Sequence, residues 1–429
     1  MMEGTEGAVM VKAFVGAGGK TSLIRQCAKK YLAQGYKVFV TTSTHMYIED
    51  NTMLTDRAGD IIRELEEKHY VMAGIPEGEK IKPLSYETYL RVCQYADIVL
   101  VEADGSKHMP LKFPDISEPV IYDNVDEIIV VYGLHALYRR AGEVVQRLHL
   151  ADQYYPLEKD ELITEKHIGN IVMKGYVEPL RKRYPEKEIH VQPNLYLGNL
   201  KLGCVIMASG ISRRFGKNKL LEEFHGKTLI QRVLDITDGD LFEKRLVVTR
   251  NEQVKELCEK QNVDVIFHDF PNRNDTVRLG VGEIQDMDGC IFCPCDQPLL
   301  KKESLMRMAA IFSVQRSGMV RLSYGEKQGA PILFGKEYFP ELACLPEKAG
   351  GSFLVKKYPE QLHLAEASDK LELSDIDTCQ DFEMLHKLVI LKEDKTPTSI
   401  DEAYLNNNEN DRKENCCVYN EKLCAGDKS

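Results

Sequence analysis

The chain has 429 residues, too many for one ordinary core, because single cores seldom grow past about 250–300 residues. Its 67 acidic against 56 basic residues give a formal net charge of -11, which excludes the basic surface of a general nucleic-acid or anionic-membrane binder and leaves room only for local basic pockets. The opening MMEGTEGAVM lacks the apolar segment of a signal peptide, and no run approaches the roughly 18–20 apolar residues of a membrane span, so a cytoplasmic location is expected, with the 12 cysteines as reduced thiols.

In chain order, VMVKAFV at 9–15 reads as a strand, TSLIRQCAKKYLAQG as a helix, YKVFVTT as a strand, DIIRELEEKH as a helix, and YVMAG and ADIVLVEADG as strands. Such alternation predicts parallel strands joined by crossover helices. Between the first strand and helix lies GAGGKTS. A full Walker A pattern fails because Phe14 stands where its first glycine belongs, but the shorter G-x-x-G-K-T is met by Gly16, Gly19, Lys20 and Thr21, with Gly18 inside the turn. In that setting Lys20 can reach a β or γ phosphate of ATP and Thr21 a Mg²⁺ ion. Glu102 and Asp104 end a later strand, and Asp104 is taken as the metal-positioning carboxylate. His45 and His108 fall near the same strand ends, where a lone histidine is more often a packing or hydrogen-bonding residue.

The segment 192–201, QPNLYLGNLK, reads as a linker, and the domain division expected is 1–195, a link at 196–202, 203–393, and a polar, Asn-rich disordered tail at 394–429. After the link come the strand LGCVIMASG, a helix-like KLLEEFHGKTLIQRVLDI at 219–236, the strand RLVVTR, the helix NEQVKELCEKQN, the strand VDVIFHD, the helix DTVRLGVGEIQ and the buried strand GCIFCPC. The turn Ala208, Ser209 and Gly210 brings backbone close to a ligand, and Arg213, Arg214, Lys217 and Lys219 supply charge for a triphosphate. Asp296 falls at a strand's carboxyl end, where open α/β sheets bind ligands. Asp375 and Asp377 precede a helix. Carboxylates beside a phosphate cradle suit Mg²⁺, although each alone would be a turn or cap residue. Cys290, Cys293 and Cys295 are expected to pack in the core, 293 and 295 on one face and 290 on the other. CCVYNEKLC at 416–424 is read as an incidental thiol cluster, and RKRYPEK at 181–187 as a solvated basic run.

The run Met207, Ala208, Ser209, Gly210, Ser212, Arg214, Gly216, Lys219, Leu220, Leu221, followed by NDTVRLGVG, CDQPLL, GAPILFGKEYFPEL and DIDTCQDF, resembles the molybdenum cofactor cytidylyltransferases within the MobA-like nucleotidyltransferases. The resemblance implies a Rossmann-like, GT-A-like α/β/α domain. It further implies Ala208, Ser209 and Gly210 against the base, Ser212 and Thr276 in the nucleotide site, Arg214 and Lys219 on the phosphates, and Mg²⁺ on Asp296 with Asp375 or Asp377. The implied reaction joins the phosphate of molybdopterin to the α-phosphorus of CTP and releases pyrophosphate. Ser209 stands where CTP-using members carry a second alanine, which leaves GTP open, and KAGGSFLV at 348–355 lacks the family's Gly-Asp. The motifs GAGGKTSLI, VTTSTHM, EADGSKHMPLKFP and EPVIYDNVDEIIVVYG resemble the YqeC-type accessory proteins associated with selenium-dependent molybdenum hydroxylases, implying a P-loop-like α/β domain and an apo molybdenum hydroxylase as partner. Two other readings stand beside this one: transfer to a sugar or alcohol phosphate, and a nucleotide-gated carrier of the cofactor.

Overall fold

The computed structural model describes residues 9–210, 212 and 214–393. Arg213, the tail 394–429 and its cysteines lie outside the described residues. The chain divides into two compact units, Met1–Ile376 and Asp377–Ser429. The first is mixed α/β and contains two large sheets. Among the described residues no helix is long and apolar enough to cross a membrane.

The first sheet is nine-stranded and is built around β1 (Met10–Gly16), β2 (Val38–Thr42), β3 (Tyr70–Glu77), β4 (Ile98–Glu102), β5 (Glu127–Gly133) and β6 (Glu188–Asn194), in the order β6-β5-β1-β4-β2-β3. These six pair in parallel. Both faces are covered, Val11, Ala13 and Val15 packing to one side and Phe14, Val38, Val40 and Leu100 to the other. A strand buried on both faces needs apolar residues at every position, and this is why these strands read as continuous apolar runs. The helix α1 (Lys20–Ala33) leaves β1 through the glycine turn. Gln192, Pro193 and Asn194, read from sequence as the start of a linker, instead complete β6 beside β5. Proline is tolerated there because β6 is an edge strand, with one side free of ladder bonds.

The second sheet is seven-stranded: β7 (Leu202–Ala208), β8 (Lys244–Thr249), β9 (Asp264–Phe267), β10 (Gly289–Pro294), β11 (Met319–Tyr324), β12 (Lys327–Gly335) and β13 (Leu362–Glu366), in the order β9-β8-β7-β10-β12-β11-β13. The first four are parallel, whereas β12 runs antiparallel to both β10 and β11. The expectation of parallel strands thus fits β7 to β10 and does not extend to β12. Only Gly325 and Glu326 separate β11 from β12, and so short a link can close a hairpin but cannot carry a crossover helix. Cys293 and Cys295 join the core on one face of the sheet and Cys290 joins the other, as alternation requires.

A second correction falls at 219–236. In place of one helix there is a short 3-10 turn at Lys219–Leu221, a two-strand hairpin of Glu223–Phe224 with Lys227–Thr228, and α2 (Leu229–Ile236). His225 and Gly226, at φ 48 and 78, make the left-handed turn that breaks the helical period. α2 then starts from a capping box. The Gln231 N–H donates to Thr228 Oγ1 at 3.3 Å and the Thr228 N–H to Gln231 Oε1 at 3.0 Å. Thr228→Ala should therefore lower stability by about 1 kcal/mol, read as a shift of the denaturation midpoint.

Candidate functional site

β7 ends at Ala208, and the chain continues to β8 on one side while β10 lies on the other. A crevice at such a switch point is where an open α/β sheet binds its ligand. Here Ala208, Gly210, Ser212, Gly216, Arg250 and Asn251 line a cavity of about 320 Å³. Ser212 holds φ 48, and its Oγ accepts the Lys219 N–H at 3.3 Å, which pins the far end of the turn. Ser209 is directed elsewhere. Its hydroxyl donates to the Val248 carbonyl at 3.0 Å, and its oxygen lies 2.8 Å from His268 Nε2. The serine's single proton is engaged by Val248, so Nε2 carries the hydrogen and donates to Ser209. Burial, with Arg250 nearby, lowers the His268 pKa and keeps the ring neutral. Arg250, at the end of β8, donates from Nε to Ser209 O at 3.2 Å and from Nη1 to Phe270 O at 3.0 Å.

Beyond the turn, the buried Lys219 places Nζ 3.0 Å from Asp296 Oδ2 and 2.5 Å from Ile376 O. The Ile376 N–H donates to Asp296 O at 2.8 Å, and Gln297 Nε2 donates to Asp375 Oδ1 at 2.9 Å. Asp296 and Asp375, distant in sequence, are thereby drawn to one place with Lys219. Gln297 Oε1 is buried there without a partner. One or two carboxylates with a neutral oxygen nearby form a donor set that fits Mg²⁺ when substrate phosphates complete it. Asp377 belongs to the second unit, where its N–H donates to Asp381 at 3.1 Å ahead of the helix Cys379–Glu393. Arg214 is exposed on the turn, and Lys217 pairs with Glu222. Thr276 is buried in α3 (Arg273–Gly282) and does not line the cavity.

In the first sheet, Lys20 and Asp104 are fully buried and 3.0 Å apart, and Lys20 Nζ also donates to Gly16 O at 2.7 Å. Asp104 Oδ2 receives the Gly16 N–H, Lys112 Nζ and the Tyr176 hydroxyl at 3.0, 3.1 and 3.2 Å. Lys112 pairs onward with Glu118, which Arg147 grips from the other side. Burial pushes the Glu118 carboxyl up, but Arg147 and Lys112 together outweigh it and hold the pKa low. With two ammonium groups on its oxygens, Asp104 is the centre of a buried ionic network. Glu102 stands two residues before it, at the end of β4. Its Oε2 accepts the Thr21 hydroxyl at 2.7 Å, and burial raises its pKa against the opposing pull of Lys20.

Two glycines of this turn have a packing reason. A Cβ at Gly16 would come within 2.2 Å of Val131 O, and one at Gly18 within 2.3 Å of Gly133 N. The amides of Gly16, Ala17 and Gly18 are engaged by Asp104, Val131 O and Met109 O. What remains for an anion is the first amides of α1. Asn194 closes over the turn, its Nδ2 donating to Gly18 O at 2.7 Å.

Residues 12–149 match the family model described as YqeC protein, and residues 204–362 the one described as MobA-like NTP transferase domain. The chain therefore carries a YqeC domain followed by a MobA-like nucleotidyltransferase domain. Over 146 residues it is 33% identical to "Uncharacterized protein YqeC" of Escherichia coli (strain K12), covering 30% of this chain and 53% of that protein. Over 138 residues it is 28% identical to "Probable molybdenum cofactor guanylyltransferase" of Bacillus cereus (strain AH820), covering 31% of this chain and 66% of that one. The chain thus spans about half of the first relative's length and just under two thirds of the second's. Molybdopterin-guanine dinucleotide biosynthesis protein A from Archaeoglobus fulgidus superposes with a TM-score of 0.36 at 17% identity, covering 44% of this chain and 98% of that structure.

Proposed function

We propose that the MobA-like domain, taken as residues 203–393, transfers a cytidylyl group from CTP to the terminal phosphate of molybdopterin. The cofactor so matured would serve an apo molybdenum hydroxylase. An oxygen of the acceptor phosphate attacks the α-phosphorus of CTP, the bond from that phosphorus to the bridging oxygen breaks, and pyrophosphate leaves. The nucleophile is already ionised near neutral pH, so no side chain has to take a proton. The backbone of Ala208 and Gly210 receives the nucleoside, Arg214 and Lys219 offset the triphosphate charge, and Asp296 and Asp375 would hold Mg²⁺. That ion would neutralise charge and fix the geometry of in-line displacement. The observation that carries this reading is the single ammonium of Lys219, held against Asp296 and the Ile376 carbonyl beside the cavity.

The test is pyrophosphate release from CTP, GTP and ATP with molybdopterin, and separately with sugar phosphates. Release from CTP with molybdopterin is expected. Release from GTP in its place would make the enzyme a guanylyltransferase, and binding without release of any nucleotide would establish a carrier. For the first 195 residues we propose a nucleoside triphosphate site, with ATP at the start of α1 and Thr21 and Glu102 positioned for its Mg²⁺. The Thr21 to Glu102 hydrogen bond supports it.

A further inference from the structure

The helix α4 (Lys302–Gln315) follows the loop that carries Asp296 and Gln297, and its run SLMRMAAIF at 304–312 is apolar almost all round. A helix of that composition is covered on more than one face. Leu305, Met308, Ala309 and Phe312, spaced as one helical face, join the core of the second sheet, whereas Met306 and Ala310, one turn apart, join the core of the first. There α4 packs against the 3-10 turn Leu134–Ala136, which continues β5 beyond Gly133. One helix therefore belongs to both cores.

The first turn of α4 is fixed by a carboxylate. Glu372, fully buried, accepts the Lys301 N–H at 3.2 Å and the Ser304 hydroxyl at 2.6 Å on Oε2, and the N–H groups of Ser368 and Asp369 at 2.9 and 3.3 Å on Oε1. The positive end of the helix dipole favours a carboxylate there. Arg307 ties the same two segments a second time, Nη1 donating to Ser304 Oγ at 3.3 Å and to Glu366 O at 2.9 Å, and Nη2 to Ser368 Oγ at 2.7 Å. Its Nε lies 3.8 Å from Glu165 Oε1, on a helix, Glu165–Val172, that packs Ile168 and Ile171 into the first core. Asp375 comes three residues after Glu372, and Lys301 five residues after Asp296.

We infer that α4 makes the first sheet a positioning element for the Asp296 and Asp375 pair, with Glu372 and Arg307 as the positioning residues that carry its hold to them. The inference rests on the nucleotidyltransferase reading and adds what sets the carboxylates of that site. Neither Asp296 nor Asp375 lies in a strand or helix, so no ladder of backbone bonds fixes their separation. Mg²⁺ demands near-ideal octahedral geometry, and a small drift of one carboxylate weakens the ion more than it weakens the nucleotide. The first half of the chain then acts on the transfer site through packing, without contributing a residue to it.

The full chain tests this as wild type, M306A, R307A and the volume-conserving M306L, by Mn²⁺ binding followed with electron paramagnetic resonance in the presence of CTP, and by steady-state pyrophosphate release. M306A and R307A should each raise the Mn²⁺ dissociation constant about fivefold and lower kcat about tenfold at an unchanged KM for CTP, and M306L should restore both. A role in stability alone would move the denaturation midpoint and leave the Mn²⁺ constant of the folded protein where it is. Wild-type Mn²⁺ affinity in M306A and R307A overturns the inference, as does a KM for CTP that rises in step with the Mn²⁺ constant. R307A decides the matter if M306A does not fold. If Mn²⁺ affinity shifts as expected while the wild type releases no pyrophosphate from any nucleotide, the positioning stands and the nucleotidyl-transfer reading fails.

Discussion

Asp296→Asn should lower nucleotidyl transfer by about two to three orders of magnitude, the scale on which loss of one preorganised electrostatic element at a reacting phosphate is felt. The substitution keeps the side-chain volume and leaves Asn an oxygen for Lys219. It removes the negative charge that the Lys219 ammonium meets at 3.0 Å and that a Mg²⁺ ion would require. Binding of CTP should fall far less than turnover, because the cavity proposed for the nucleoside is lined by Ala208, Gly210, Arg250 and Asn251, none of which touches Asp296 through a hydrogen bond. Steady-state pyrophosphate release, with Mg²⁺ titrated in both proteins, checks this. A wild-type rate in D296N would remove the basis for placing the reaction at this strand end.

The second large effect is expected at Asp104, and it concerns stability. Its side chain and those of Lys20 and Lys112 are essentially inaccessible to solvent, at 0%, 1% and 0% exposure. Asp104→Asn leaves two buried ammonium groups facing a neutral amide. Breaking a buried ion pair from one side costs about 3–5 kcal/mol, since the remaining charge loses its compensation without regaining water. The first sheet should therefore unfold at a clearly lower urea concentration. Glu118 and Arg147 neutralise part of the Lys112 charge, so the network should loosen before it is lost. If Asp104 acted instead as a metal ligand, the variant would show weakened Mg²⁺ dependence at an unchanged urea midpoint.

The two families were legible because their motifs are local. A strand, a small-residue turn and a helix start in one short run, and GAGGKTS and MASGISRRFG need no tertiary information to be seen. Asp296 was found because it stands at the end of an apolar run, and Arg250 carries the same signal after RLVVT, where it was missed. Buried charge is a different matter. Nothing in EADGSKHMPLKFP announces the different surroundings of Asp104 and Glu102, which come from Lys112 folding back onto Asp104 and Thr21 reaching Glu102. The resemblance implies Ser209 against the base, and nothing in its motif foretells that its hydroxyl meets Val248 and His268, partners from two other strand ends. The antiparallel β12 and the hairpin inside 219–236 were missed for one reason. Gly325-Glu326 and His225-Gly226 are two-residue turns, and a two-residue turn hardly disturbs an apolar pattern averaged over a helix or strand length.

The position of β6 bears on how the chain can be cut. A fragment ending before Glu188 would strip the cover from β5 and present its row of unpaired backbone groups to other molecules, an invitation to strand-by-strand aggregation. It would also lack Asn194, which donates to Gly18 O in the glycine turn. Any separately expressed first half must therefore run through Asn194, and a cut at the 149 boundary of the family match would yield insoluble material however well its own motifs are preserved.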